Sequence, residues 1–174
     1  DITAAKAARR EMKEMAVFLQ TMIDRMPNAV FYRGPDTRFL GCNEAFEQAF
    51  GVQREDLLGK RVDEMEHLTE PLRSEMQAEH EQVIADASHV SRETRFRFAD
   101  GRDHQVLYSL GGFRKRDGSP GGLVGVMVDL DPLKAAESAL GVAQKEQVAM
   151  FETAGVGIAF VRDGLIVRCN HELE

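Results

Sequence analysis

Ala29-Val30-Phe31-Tyr32 and Phe39-Leu40-Gly41-Cys42 are two short apolar runs separated by Gly34-Pro35-Asp36 and followed at once by Asn43 and Glu44-Ala45-Phe46-Glu47-Gln48-Ala49-Phe50-Gly51. Runs of four apolar residues around a Gly-Pro-Asp turn predict a β-hairpin. Asn43 predicts a helix cap, because its side-chain oxygen can accept from an exposed backbone N–H of the first turn. Gly51 predicts the stop. Phe46 and Phe50 stand one turn apart on the same face of that short helix, so both are expected in the core beside the hairpin.

Working outward, a second short helix is expected over 54–58, ending at Gly59, and a longer one over 70–87. Three strands then follow, over 91–98, 105–114 and 123–129, joined by Asp100-Gly101 and Asp117-Gly118-Ser119-Pro120 turns. Strand, strand, helices, strand, strand, strand predicts an α+β fold: a five-stranded antiparallel sheet with short helices on one face, flanked by N- and C-terminal linker helices.

The flanks repeat one another. Asp1-Ile2-Thr3 with Lys6-Ala7-Ala8 recurs as Asp129-Leu130-Asp131 with Lys134-Ala135-Ala136, Met22 falls on Met150, Asp36 on Asp163, and Cys42-Asn43 on Cys169-Asn170. Thr3 is expected to cap the first helix, and Asp131 with Pro132 to start the second. Ala8, Met12, Met15, Leu19, Met22 and Met26 advance in alternating steps of four and three residues, the seam of a coiled coil. A parallel dimer is therefore expected, its helix running over 4–26 into Pro27 with Met15, Leu19 and Met22 facing the partner. The alternative is an amphipathic helix lying on its own domain.

Composition narrows the function. The 174 residues are 43% hydrophobic and 29% charged, the balance of a soluble domain, and no apolar run reaches the roughly 18 residues of a membrane span. Twenty-two Lys and Arg against 29 Asp and Glu leave a net charge of −7, which argues against a nucleic-acid partner. Cys42 and Cys169 are too few for a disulfide framework and point to a reducing compartment, the cytoplasm. A first residue of Asp1 without a signal peptide reads as a piece of a longer protein. No enzyme chemistry is legible: His67, His80, His89, His104 and His171 have no metal-ligand spacing. Gly121-Gly122-Leu123-Val124-Gly125 lacks the lysine of a phosphate loop, and Glu79 and Glu81 point to different helix faces.

Asn28-Ala29-Val30-Phe31-Tyr32, Phe39-Leu40-Gly41-Cys42-Asn43, the Glu44 to Gly51 segment, Glu55-Asp56-Leu57-Leu58-Gly59-Lys60, the Asp100-Gly101 turn and Gly122-Leu123-Val124-Gly125-Val126-Met127-Val128-Asp129 together resemble a PAS domain, the sensory module of bacterial signalling proteins. The resemblance covers residues 26–130. It implies four parts: residues 1–26 as a linker helix carrying the tail of a preceding PAS junction, 27–131 as a complete PAS domain, 132–150 as a second linker helix, and 151–174 as the truncated start of another PAS domain. PAS domains pass signals to an output helix through an Asp-Ile-Thr-like junction, here matched by Asp1 and Thr3 and, with Asp at its third place, by Asp129 and Asp131. The implied function is a non-catalytic regulatory module of a two-component or cyclic-dinucleotide signalling protein. Its partners would be a second copy and the neighbouring PAS and output domains.

The resemblance also places a small-molecule pocket between sheet and helices. His80 and Tyr108 are its expected hydrogen-bonding groups among Phe39, Phe46, Met76 and Phe96. Three readings stay open at this level. An unidentified small molecule binds there; or haem binds with His80 as axial ligand, since His80 shares a helix face with Met76 and Ile84; or the core is filled and the domain is a dimerisation spacer. Covalent flavin chemistry is not expected, because Cys42 precedes Asn43 where the light-sensing members place their cysteine after an asparagine; Cys42 reads as a small buried hydrophobe. Arg95 and Arg97 would grip a carboxylate if they faced inward.

Overall fold

The computed structural model describes residues 2–65, 68–163 and 165–173, with side chains from residue 5 onward. It divides into two units, residues 1–130 and 131–174.

The first unit contains α1 (Ile2–Asp24), β1 (Ala29–Arg33), β2 (Phe39–Cys42), α2 (Glu44–Phe50), α3 (Arg54–Leu57), a 3-10 turn (Val62–Glu64), α4 (Glu70–Asp86), β3 (His89–Arg97), β4 (Asp103–Arg114) and β5 (Pro120–Asp129). The strands form one antiparallel sheet in the order β2-β1-β5-β4-β3, so the last strand lies in the middle. This is the expected α+β architecture. Strand ends differ from the expected ones because β5 absorbs Gly121 and Gly122. Gly122, at φ 136°, passes so close to β1 that a Cβ there would stand 2.1 Å from the Arg33 carbonyl oxygen.

Asn43 caps α2 as expected, its Oδ1 accepting from the Phe46 N–H at 3.1 Å, and Gly51 ends the helix in the left-handed region at φ 64°. Val106, Tyr108 and Leu110, alternating along β4, are fully buried; they pack with Phe31, Phe39 and Phe46 and with Met76, Val83 and Ile84 of α4. Phe50 meets Phe46 in a tilted pair with ring centroids 4.7 Å apart but remains half-buried.

Both ends of α1 depart from expectation. The helix begins at Ile2, so Thr3 lies within its first turn rather than ahead of it as a cap. Asp1 and the Thr3 side chain lie outside the described residues. The helix stops at Asp24 instead of running into Pro27, because a residue before proline is disfavoured in helical conformation. Arg25 and Met26 instead donate to the Met22 and Ile23 carbonyls in a tighter final turn.

The second unit is α5 (Asp131–Glu152), β6 (Ala159–Arg162), β7 (Leu165–Cys169) and a 3-10 turn (His171–Leu173). Asp131 is the first residue of α5, not the residue before it, so the expected cap sits one place too far in. The hairpin repeats the hydrogen bonds of the first one. Asn43 Oδ1 accepts from the Val30 N–H at 2.8 Å and its Nδ2 donates to the Asn28 carbonyl at 2.8 Å; Asn170 Oδ1 accepts from Ile158 at 2.7 Å and its Nδ2 donates to Val156 at 2.9 Å. Both hairpins shift register within their pairing, at Tyr32/Arg33 and at Phe160/Val161.

Candidate functional site

Between the sheet and its covering helices lies a small cavity of about 30 Å³, partly open to solvent. β1 contributes Phe31 and Arg33, α2 Phe46 and Phe50, α4 Met76 and His80, β3 Phe96 and β5 Met127, with Met65 and Leu68 from the segment before α4. Phe46, Met76, His80 and Phe96 were expected there. Phe39 and Tyr108 are buried one layer behind. The Phe39 ring lies 5.2 Å under the Arg33 guanidinium, and the Tyr108 hydroxyl is 2.7 Å from His80 Nε2.

The polar side of this apolar cavity consists of Arg33 and His80. Arg33 is 3% exposed. Its Nη1 donates to the Thr37 carbonyl at 2.8 Å, its Nη2 meets only the Met65 sulfur at 3.4 Å, and its Nε has no hydrogen-bond partner among the described residues. Burial lowers its pKa to about 10, so it remains a cation at neutral pH. His80 is fully buried, and burial, aided by the Arg33 and Arg92 charges, lowers its pKa to about 3. It is a neutral imidazole whose Nδ1 has no partner among the described residues. Burial raises the Tyr108 phenol above its ordinary range, so that group stays protonated.

Alternation along β1 puts Arg33 on the face of Phe31. A charge at the end of an apolar run reads as the start of a turn, and the sequence-level site omits it. Arg95 and Arg97 are exposed, so neither reaches the cavity to grip a carboxylate. Haem does not fit: Nε2 of His80 is engaged by Tyr108, and a cavity of about 30 Å³ is far too small for a macrocycle. Cys42 is fully buried and burial pushes its thiol up to about 12, the behaviour of a small hydrophobe.

The cavity wall is joined to α1 through Asn43. This fully buried side chain accepts from the Val30 and Phe46 N–H groups and donates to the Ile23, Met26 and Asn28 carbonyls at 3.0, 3.3 and 2.8 Å. Two of those carbonyls, Ile23 and Met26, lie in and just beyond the last turn of α1, where helical carbonyls run out of partners within the helix. Gln20 adds a bond to the Cys42 carbonyl at 3.0 Å. Asp24 accepts from the Glu44 N–H at 3.1 Å and pairs at 3.0 Å with Arg54, which also holds Glu47 at 2.8 Å. At the end of β5 and the start of β4, Asp129 accepts from His104 Nδ1 at 2.9 Å, and Asp100 holds Nε2 at 3.0 Å. Hydrogen bonding to Asp100, and then to Asp129, raises the His104 pKa. His104 is a second residue that sequence reasoning did not single out.

The PAS fold family model matches residues 23–135, from the end of α1 to the start of α5. The chain belongs to the PAS family. The PAS domain is 31% identical over 134 residues to the virulence sensor protein BvgS of Bordetella bronchiseptica, covering 74% of this chain and 10% of that protein. It is 23% identical over 154 residues to the aerobic respiration control sensor protein ArcB of Escherichia coli, covering 88% of this chain and 20% of that one. The chain thus spans a tenth to a fifth of these relatives. Among solved structures, the PAS domain of Bordetella pertussis BvgS superposes with a TM-score of 0.62 at 23% identity, covering 76% of this chain and 98% of that chain. VqmA bound to DPO superposes with a TM-score of 0.56 at 21% identity, over 68% and 57% of the two chains. Among the described residues no helix is long and apolar enough to cross a membrane.

Proposed function

We propose that this PAS domain is a regulatory sensory module of a larger, cytoplasmic signalling protein, non-catalytic in itself, which binds a small molecule in its cavity and passes the resulting change through α1 and α5 to neighbouring modules. The observation that carries this reading is the double attachment of Asn43. Its Oδ1 holds the N–H of Phe46, whose ring lines the cavity, while its Nδ2 holds the end of α1. A shift of the cavity wall therefore bears directly on the linker helix. BvgS and ArcB are named as sensor proteins, and VqmA is solved bound to DPO, which supports the sensory class. Asp129 and Asp131 form the exit junction toward α5. Residues 151–174, with the Asn170 pattern, begin a second PAS domain.

In this reading α1 pairs with α1 of a second copy. Met12, Met15, Leu19 and Met22 are each more than half exposed and recur in the alternating spacing of a two-helix seam. Phe18, 58% exposed, widens that apolar face and was not part of the expected seam. Methionine repacks at little cost, so such a seam can hold two packings close in energy. Replacing both Leu19→Glu and Met22→Glu is expected to convert dimers to monomers in sedimentation while the sheet unit keeps its circular dichroism. Cysteines at Met15→Cys and Met22→Cys, in a Cys169→Ser background, are expected to cross-link like to like. A double variant that stays dimeric, or cysteines that never cross-link, would show that α1 is not the contact.

A further inference from the structure

We propose that the cavity takes a small apolar monocarboxylate, with Arg33 as its counter-charge and the Nδ1–H of His80 as a second donor. The proposal names the ligand class for the sensory reading above and rests on it.

A buried cation is retained where an opposite charge meets it. Among the described residues no carboxylate pairs with Arg33; its contacts are the Thr37 and Lys60 carbonyls, the Met65 sulfur, and the Phe31 and Phe39 rings. The unfilled positions are specific. Nη1 is engaged by two carbonyl oxygens, whereas Nε has no partner and Nη2 has only a thioether, a weak acceptor. Nε and Nη2 form one edge of the guanidinium fork, the edge whose parallel N–H bonds match the two oxygens of a carboxylate. The fork is also held in place. Thr37 adopts φ 64°, an outlier for a β-branched residue, and in that conformation its carbonyl holds Nη1 while Gln77 Nε2 bonds its hydroxyl at 2.8 Å.

His80 completes the recognition through its tautomer. When the Tyr108 hydroxyl donates to Nε2, the single proton of the neutral ring must sit on Nδ1, the buried nitrogen that lacks a partner. His80 then offers an N–H to an anion without itself being charged. The remaining lining, with Phe46, Phe50, Met76 and Phe96, is apolar and close, which suits a short aliphatic or single-ring tail and excludes a second charge.

The test is calorimetric titration of the intact chain at neutral pH with benzoate and butyrate, and with their uncharged isosteres benzamide and butyramide. The acids are expected to bind about 10- to 100-fold more tightly than the amides, the range of a hydrogen bond to a charged group. Arg33→Met is expected to abolish the difference. The comparison of acid with amide stands on the unaltered protein if that variant does not fold. In the acid-bound protein the imidazole ¹⁵N shifts of His80 are expected to show the proton on Nδ1; a proton on Nε2 would remove His80 from the site. Amides binding as tightly as acids would overturn the anion class while leaving a sensory cavity. Failure of both acids and amides to bind would overturn the ligand assignment, and the α1 cross-linking would then judge the relay separately.

Discussion

Asn43→Ala is expected to destabilise the sheet unit by about 3–5 kcal/mol, measured by denaturant unfolding. The substitution leaves the Val30 N–H without its acceptor in a fully buried site, a cost of about 1–3 kcal/mol, and removes the α2 cap from the Phe46 N–H, which keeps the residue-43 backbone carbonyl, a further cost of about 0.5–2 kcal/mol. It also removes the donor that closes the Ile23 and Met26 carbonyls. Asn43→Asp separates the two roles. A carboxylate keeps the acceptor that caps α2 but turns an oxygen toward the Ile23, Met26 and Asn28 carbonyls in a fully buried site, so a loss at least as large, with a frayed end of α1, is expected. A loss below about 1 kcal/mol for Asn43→Ala would mean that water replaces the side chain and that Asn43 is no clamp.

Phe46→Ala is expected to cost about 3–5 kcal/mol, the range for deleting a buried phenyl ring. The ring is 7% exposed and meets those of Phe31, Phe39 and Phe50 at 5.6, 5.8 and 4.7 Å. It also lines the cavity already present, so its removal enlarges that space instead of letting the site collapse, which places the cost at the upper end. Unfolding midpoints at constant denaturant slope provide the measurement. A change under about 1 kcal/mol would place the ring at the surface.

The local signals that survive into the structure are those with a local cause. The turn residues of the hairpin, Asn43 as a cap and Gly51 as a stop act within a few residues, and the chain order of strands and helices follows from them. The alternation of Val106, Tyr108 and Leu110 likewise predicts their burial. The misses are non-local. Arg33 is buried because the left-handed turn at Thr37 and the close passage of Gly122 enclose it, and both depend on where β2 and β5 come to rest. Tyr108 was expected in the pocket but serves behind it, since its hydroxyl is used by His80 on a helix 28 residues away. The bonds from Asn43 to the Ile23 and Met26 carbonyls, at and beyond the end of α1, are likewise something a helical period cannot reveal. The repeat, by contrast, is more regular in the structure than in the residues: Asn170 reproduces the Asn43 clamp on its own hairpin, although only Cys-Asn is shared at that point.

The central claim is that the cavity wall and α1 move together through Asn43. Hydrogen exchange of the intact chain with Met76→Phe tests it directly, because the added ring crowds the cavity at a cost of about 1–3 kcal/mol without touching α1. Altered exchange at residues 76–84 would verify that the cavity has been perturbed. The account predicts that the amides of residues 19–24, at the end of α1, then change their exchange rates by about threefold or more, and that Asn43→Asp in the same background abolishes this response. Unchanged exchange over residues 19–24 alongside altered exchange over 76–84 would contradict it.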